Sequence, residues 1–371
     1  MGSLQVPVVG STTRRPPLFQ VPESAVTGKL KALEEEVASL KTKLAQAAQQ
    51  TWTGLRGPQS KSRVVISKEG LIQSIPLPKS LERDISWHTD GRMGKVEAAF
   101  NPSIFRLSDG RTWMAYRVEC FPWFRFSKVA IVQLNDLFCP IPETNRLLDL
   151  PTDYDNYNAE DPRFVAEVGG SVLLAYNDGF RQAIATLRYP SFTVESHRFF
   201  REIGGMEIAE KEKNWTFFQN GERAIYSINP LRILSTGLEA SLLSETRGVN
   251  DWPHGEPRGG TQIFQLNGWA AHFFHSSVKI ADSKHGPVRQ YFAGLLCHDP
   301  STMALVAISE RPILIGSPCS TEDRPSQHQV VFPCGVVDLG RSVVVSYGLD
   351  DLDCALEVVE KDALLQGLRK L

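Results

Sequence analysis

No run of 18 apolar residues occurs anywhere in the chain, so no helical membrane span is predicted. The first 25 residues lack the apolar core of a secretory signal. Val6 stands where a myristoylation signal would need Ser or Thr. Cysteine is sparse: Cys120, Cys139, Cys297, Cys319, Cys334 and Cys354 form neither a CxxC pair nor a Cys/His cluster, which argues against a zinc site and for a reducing compartment. An excess of one charge is also missing, since 40 Lys and Arg balance 42 Asp and Glu for a formal net charge of -2. Nucleic-acid binding by neutralisation of phosphates therefore has no support. These absences lead to the expectation of a cytoplasmic protein with no metal and no nucleic-acid partner.

What is present is enough apolar sequence for a sizeable core, 42% of 371 residues. Residues 1–24 are rich in Pro, Ser, Thr and Arg and read as a disordered tail. Within 25–50, Leu30, Leu33, Val37, Leu40, Leu44 and Ala47 recur at alternating spacings of three and four, a heptad seam. That pattern predicts a helix whose residues 29–48 either pair with a second copy, giving a homo-oligomer, or dock on their own domain. Residues 51–85 read as a linker and a lead-in strand around Arg63-Val64-Val65-Ile66-Ser67, and 86–371 as the main domain.

In that domain short runs of Val, Ile, Leu, Phe and Tyr alternate with turn residues, which predicts an all-β fold. Five segments share one grammar, namely a polar opening motif, a strand, a turn with glycine, and a second strand closing on an aromatic. They are NPSIFRLSDGRTWMAYR, EDPRFVAEVGGSVLLAYND, EKNWTFFQNGERAIYSI, RGGTQIFQLNGWAAHFFHSS and FPCGVVDLGRSVVVSYGLDD. Gly110, Gly170, Gly221 and Gly268 precede Tyr116, Tyr176, Tyr226 and Phe274 by five or six positions, and Gly340 precedes Tyr347 by seven. Repeated hairpins of this kind predict a five-bladed β-propeller with an N-terminal helical extension. A β-sandwich of hairpins is the alternative, but it gives no reason for the opening motifs to be polar.

In a propeller the five opening motifs converge at one end of the axis. They would bring together Asn101, Ser103, Glu160, Asp161, Arg163, Lys213, Asn214, Arg258, His275 and Asp351. Acids and bases at blade starts also cap turns or pair between blades, and Glu160 and Arg163 suit that architectural role best. As a set, carboxylates would face basic residues across one pocket, and a purely structural device would tend to repeat one residue type instead of alternating acid, base and amide.

The motif series NPSIF, EDPRF, EKNW, RGG, FHSS and VFPCG…SYGLDD, spanning roughly residues 95 to 357, resembles glycoside hydrolase family 130, the β-mannoside phosphorylases, and their mannosyltransferase relatives. The resemblance implies that Asp161 is the general acid of an inverting reaction, passing its proton through a sugar hydroxyl. It implies phosphate binding by Lys213, Asn214, Arg232, Arg258, His275 and Tyr291. Sugar contacts would come from Asn101, Ser103, Arg117, Glu160 and Asp351. No cofactor is called for, and inorganic phosphate or a sugar phosphate serves as co-substrate to an oligosaccharide or mannoside. The expected activity is mannosyl transfer between β-mannosides and phosphate, in either direction. An inverting β-mannoside hydrolase and a non-catalytic carbohydrate-binding propeller are the alternatives. Trp215-Thr216-Phe217-Phe218 departs from the apolar run ending in Pro that many bacterial members carry there.

Two further signals are weaker. Asn214-Trp215-Thr216 is a glycosylation sequon, but a glycan there would block the proposed pocket. Trp113, Trp123, Phe124 and Phe126 suit either a sugar-stacking platform or, more commonly in β-rich chains, core.

Overall fold

The computed structural model describes residues 73–75, 86–89, 92–121, 126–152, 158–282, 286–316, 320–321, 324–325 and 328–371. The tail expected at 1–24 and the helix expected at 25–50 lie outside the described residues. So does the lead-in strand expected around Val65.

The repeated hairpins become five sheets, antiparallel apart from a short parallel pairing of His328–Gln329 with Arg289 and Gln290 in the fourth. Counting outward from the inner strand, the first blade runs Arg92–Arg106, Thr112–Phe121, Phe126–Leu134 and Arg146–Leu147, and Ser86–Thr89 pairs with the start of its long inner strand. The second blade is Glu160–Val168, Ser171–Asn177, Gln182–Arg188 and Thr193–Phe199. The third is Thr216–Phe218, Arg223–Ile228, Leu231–Ser235 and Ser241–Thr246. The fourth is Phe264–Leu266, Trp269–Asp282, Gly286–His298 and Leu305–Ser309, extended by Leu368–Lys370. The fifth is Val331–Asp338, Ser342–Leu349, Asp353–Glu360 and Gln73–Ile75.

Two features close the ring. The outer strand of the fifth blade, Gln73–Ile75, comes from the segment expected to hold a linker and a lead-in strand around Val65, with Gln73 opposite Val358 and Ile75 opposite Leu356. The propeller therefore begins before residue 86. Near the other end of the chain, a short helix at Lys361–Gln366 buries Leu364, and Leu368–Lys370 then returns to the edge of the fourth blade.

Packing between sheets runs round the whole circle. Ile104, Met114 and Tyr116 of the first blade pack with Val337, Val344 and Leu356 of the fifth. Trp113 and Ile131 meet Leu174 and Leu187 of the second. Ala175 meets Trp215 and Phe217 of the third. Phe218 and Ile233 meet Phe274 and Leu296 of the fourth, and Phe273 and Leu295 meet Val336 and Val345 of the fifth. Each fully buried aliphatic or aromatic side chain contributes about 1.5–3 kcal/mol relative to exposure.

The closing aromatics are explained by this packing. Tyr116, Tyr176 and Tyr347 are fully buried, and each hydroxyl donates to a partner, Asn145 Oδ1, the Pro151 carbonyl and Glu357 Oε1 respectively. Trp113 is core, packed against Phe192 with ring centroids 4.7 Å apart, so it is not a sugar platform. Asn267-Gly268 forms the two-residue turn that its sequence announces, with φ of +49° and +82° between paired Leu266 and Trp269.

Candidate active site

Three residues on or beside the inner strands of the first three blades share an unusual backbone: Asn101, within Arg92–Arg106, Asp161, the second residue of Glu160–Val168, and Asn214, just before Thr216–Phe218, have φ of +52°, +51° and +67°. Asn and Asp are the non-glycine residues that tolerate this left-handed conformation best. The pairing register slips at the same points, between Phe100 and Ser103 and between Glu160 and Arg163. A bulge of this kind re-aims the side chains around it.

Asp161 is at the centre of the resulting cluster. Its Oδ1 accepts a hydrogen bond from Asn101 Nδ2 at 2.8 Å and lies 3.3 Å from Arg117 Nη1. Asn101 is pressed in turn against the fifth blade, where Gly348 leaves room that a Cβ would fill by colliding with Asn101 Oδ1. Arg117 spreads its fork over three carboxylates. Nη1 also reaches Glu160 Oε2 at 3.2 Å, Nη2 reaches Glu119 Oε1 at 2.6 Å, and Nε donates to Ser127 Oγ at 3.0 Å. Its guanidinium carbon lies 5.0 Å from the centre of the Phe100 ring. Lys213 Nζ closes the other side of Glu160 at 2.7 Å.

Arg163 and His275 form the second half of the cluster. Arg163 is 4% exposed and Nη2 donates to Asn214 Oδ1 at 3.0 Å, while Nε is buried without a partner. Its guanidinium carbon lies 5.3 Å from the centre of the Phe332 ring. His275 is 4% exposed and sits between Tyr291 and Phe332, with ring centroids at 6.2 and 4.4 Å. Its Nδ1 is 2.9 Å from the Gly259 carbonyl, and its backbone pairs with that of Arg258. Asp351 acts through space on Arg117, Tyr291 and Cys334.

The electrostatics divide the two halves. Burial, the largest single influence on Asp161, raises its pKa. Arg117, Lys213, the Asn101 hydrogen bond and Arg163 together outweigh burial and hold the carboxyl below its usual range. Burial also opposes the charge on Arg117, but Glu160, Asp161, Glu119 and Asp351 keep it firmly protonated. His275 goes the other way. Burial first, then the Arg163 and Arg258 charges, bring it down to about 3, so the ring is neutral at pH 7.

The structure thus brings together Asn101, Arg117, Glu160, Asp161, Lys213, Asn214, Arg258, His275, Tyr291 and Asp351. Two expected residues stand differently. Ser103 is fully buried, and its Oγ accepts the Phe164 N–H at 3.0 Å, so it ties the first blade to the second instead of meeting sugar. Arg232 lies on the third strand of its blade and pairs with Glu245 Oε2 at 2.7 Å, and no contact joins it to the Asp161 cluster. Sequence reasoning missed Glu119, although it shares a strand face with Arg117 by the two-residue period. It also missed Phe332 and set Arg163 aside as architectural.

Among the described residues no group of three or more His, Cys, Asp and Glu side chains is placed to hold a metal ion. No helix among them is long and apolar enough to cross a membrane.

A five-bladed β-propeller whose inner strands carry a largely buried cluster of charged side chains defines the class of protein. No sequence-family profile matches the chain, and no curated protein matches it. Solved structures do. A β-1,2-mannobiose phosphorylase from Listeria innocua superposes with a TM-score of 0.58 at 16% identity, covering 80% of this chain and 98% of that one. A glycosyl hydrolase from Bacteroides ovatus gives 0.54 at 14% identity over 78% and 93%. A third, described within the glycoside hydrolase family 130 of mannoside phosphorylases, containing hydrolases that target β-1,2-mannosidic linkages in Candida mannan, gives 0.53 at 13% identity over 80% and 96%. The chain has the fold of these carbohydrate-active enzymes.

Proposed function

We propose that the protein is an inverting carbohydrate-active enzyme that transfers mannosyl groups between β-mannosides and phosphate, with Asp161 as the catalytic acid. The observation that carries this reading is the Asp161 carboxylate, whose side chain is 12% exposed, within the field of Arg163, a buried guanidinium that has no carboxylate within ion-pair distance among the described residues. With only one amide contact and the field of Asp161 to offset its charge, the buried guanidinium can still be satisfied by an anionic ligand.

In the phosphorolytic direction a phosphate oxygen forms a bond to the anomeric carbon as the glycosidic bond breaks. The leaving oxygen takes a proton that originates on Asp161, and α-mannose 1-phosphate departs. Arg163, Lys213 and the Asn214 amide position the anion, and Asn101, Arg117 and Asp351 face the sugar hydroxyls. Asp161 is held ionised in the absence of ligand, so it can work as an acid only after taking up a proton. A bound phosphate favours that uptake by offsetting the fields of Arg163 and Lys213. In the synthetic direction the ionised carboxylate is already the base needed to accept the acceptor hydroxyl's proton.

A hydrolytic reading needs a second carboxylate about 6.5–9.5 Å from the acid to activate water. Glu160 and Glu119 are tied up by Lys213 and Arg117, which favours phosphate chemistry. The experiment is incubation with α-mannose 1-phosphate and mannose, followed by detection of inorganic phosphate and a disaccharide such as β-1,2-mannobiose, with Asp161→Asn alongside. Phosphate release that Asp161→Asn abolishes is the expected result. Release of free mannose from a β-mannoside without phosphate would favour the hydrolase, and sugar binding without turnover would favour a binding module.

A further inference from the structure

Glu119 has no part in the reaction set out above, yet it makes the closest contact of the Arg117 fork, 2.6 Å from Nη2, and is 3% exposed. The two residues stand two apart on the strand Thr112–Phe121, so their side chains share a face. Directly across the sheet from Glu119 is Ser127. Its Oγ accepts from Arg117 Nε at 3.0 Å and donates to Glu119 Oε1 at 3.4 Å, as a hydroxyl can do at once. Two of the three guanidinium nitrogens are therefore fixed by Glu119 and Ser127. The third, Nη1, is left to point at Glu160 Oε2 and Asp161 Oδ1. The same frame reaches the acid through the backbone. The Ser127 N–H donates to Asn158 Oδ1, and its carbonyl accepts from the Ala159 N–H, immediately before Glu160 and Asp161.

The fork carries charge as well as position. One cation is divided among three carboxylates, so Glu119 offsets part of the charge that Nη1 would otherwise bring to Glu160 and Asp161. Without the Glu119 charge, Asp161 would lie beside a less compensated cation and hold its proton less readily. The other charges around the fork are Glu160, Asp161 and Arg163 of the second blade, Lys213 of the third and Asp351 of the fifth. Lys128, half-buried and within the field of Asp149, follows Ser127 on its strand and so faces the other side of the sheet. Glu119 meets Arg117 through Nη2, the nitrogen that neither Glu160 nor Asp161 uses.

We propose that Glu119 is a positioning residue of the reaction, which through Arg117 sets how readily Asp161 takes up the proton that it passes to the leaving oxygen. This rests on the reading of Asp161 as the acid and adds a residue that acts on the acid without touching substrate. Glu119 and Ser127 have separate shares in it. Ser127 holds the guanidinium in place, whereas Glu119 holds it and also divides its charge.

The test is the pH dependence of kcat for phosphorolysis at saturating phosphate, on the full chain, because kcat reports groups as they titrate with substrate bound. Glutamine keeps the shape of Glu119 and an oxygen for Arg117 Nη2, but not the charge. In Glu119→Gln the alkaline fall of kcat should move down by about one pH unit, with kcat at pH 8 lowered about 3- to 10-fold and KM changed less than about 3-fold. Glu119→Asp, with its charge withdrawn by one methylene, should move the fall the same way by less. Ser127→Ala loosens Nε without altering charge and should leave it in place. An unmoved fall in Glu119→Gln would overturn the proposal, and so would an equal displacement in Ser127→Ala, since mere loosening would then explain both. A wild type without phosphorolysis would overturn the reading of the site under Proposed function. In that case the Asp161 carboxyl, followed by carbon-13 NMR against Asp161→Asn, decides on Glu119 alone. Protonation at pH 4 should be lower in Glu119→Gln than in wild type, and equal or greater protonation would overturn the assignment.

Discussion

Replacing Arg117 with Met tests the electrostatic centre of the pocket. Arg117 is shared by Glu119 at 2.6 Å, Glu160 at 3.2 Å and Asp161 at 3.3 Å, with its side chain 12% exposed. Methionine roughly preserves the volume over Phe100 but leaves three closely grouped carboxylates without their common cation. Glu160 keeps Lys213 and Asp161 keeps Asn101. Breaking a buried pair by removing one partner typically costs about 3–5 kcal/mol. That is a large part of a total stability of about 5–15 kcal/mol. The loss must also depend on pH. In wild type the Asp161 carboxyl titrates below its unfolded value, so it contributes stability above about pH 3.9 that is lost as pH falls through the folded pKa. Without Arg117 the largest remaining influence is burial, which raises the folded value. The variant should therefore be most destabilised at pH 7 and recover part of the loss by pH 5. Urea unfolding of both proteins at the two pH values measures this. An equal penalty at pH 7 and pH 5, or a loss under about 1 kcal/mol, would refute the reasoning.

Asp161→Asn should lower turnover by about 10²–10⁴-fold, the usual range for removing a general acid. Asn also tolerates the positive φ at this position, so the variant should fold, but the lost charge-assisted contact with Arg117 should cost about 1.5–3 kcal/mol in urea unfolding. Gly348→Ala should cut activity and cost about 1–3 kcal/mol, because the new methyl displaces Asn101 from Asp161; steady-state kinetics with urea unfolding reads both. The buried pair His272 and His298, with Nε2 atoms 3.2 Å apart, should make the protein acid-sensitive. Burial is the main cause that lowers both rings, His298 to about 4, so unfolded chains bind protons that the folded protein does not. Stability should fall as pH drops below about 6.5. His298 alone should account for roughly 2–4 kcal/mol of that loss by pH 4, and His298→Leu should flatten the slope in unfolding curves collected across the range.

The blades were legible in the sequence because their signals are local. Asn267-Gly268 dictates its turn, and a tyrosine six or seven positions after each of three turn glycines announces a buried strand with a hydroxyl to satisfy. The closing strand was not legible. Gln73–Ile75 is three residues long and has meaning only against Asp353–Glu360, almost 300 positions away. The pocket was half legible. Asp161 and Lys213 stand out by residue type in the opening motifs, and the left-handed backbone at Asn101, Asp161 and Asn214 agrees with that choice of residue. What each side chain touches depends on the neighbouring blade. Ser103 looked like a ligand but meets Phe164 of the second blade. Arg163 looked architectural, yet it reaches the third blade at Asn214 and lacks a carboxylate partner.

A crystal structure grown with inorganic phosphate is the most direct test that one pocket serves both the acid and the anion. The anion should lie within about 3.2 Å of nitrogen atoms from Arg163, Lys213 and His275. It should sit on the same side of the ring of blades as Asp161, with room between them for one sugar. Phosphate held only at the exposed Arg258 or at Arg232, with the Arg163 and His275 side chains untouched, would contradict the account.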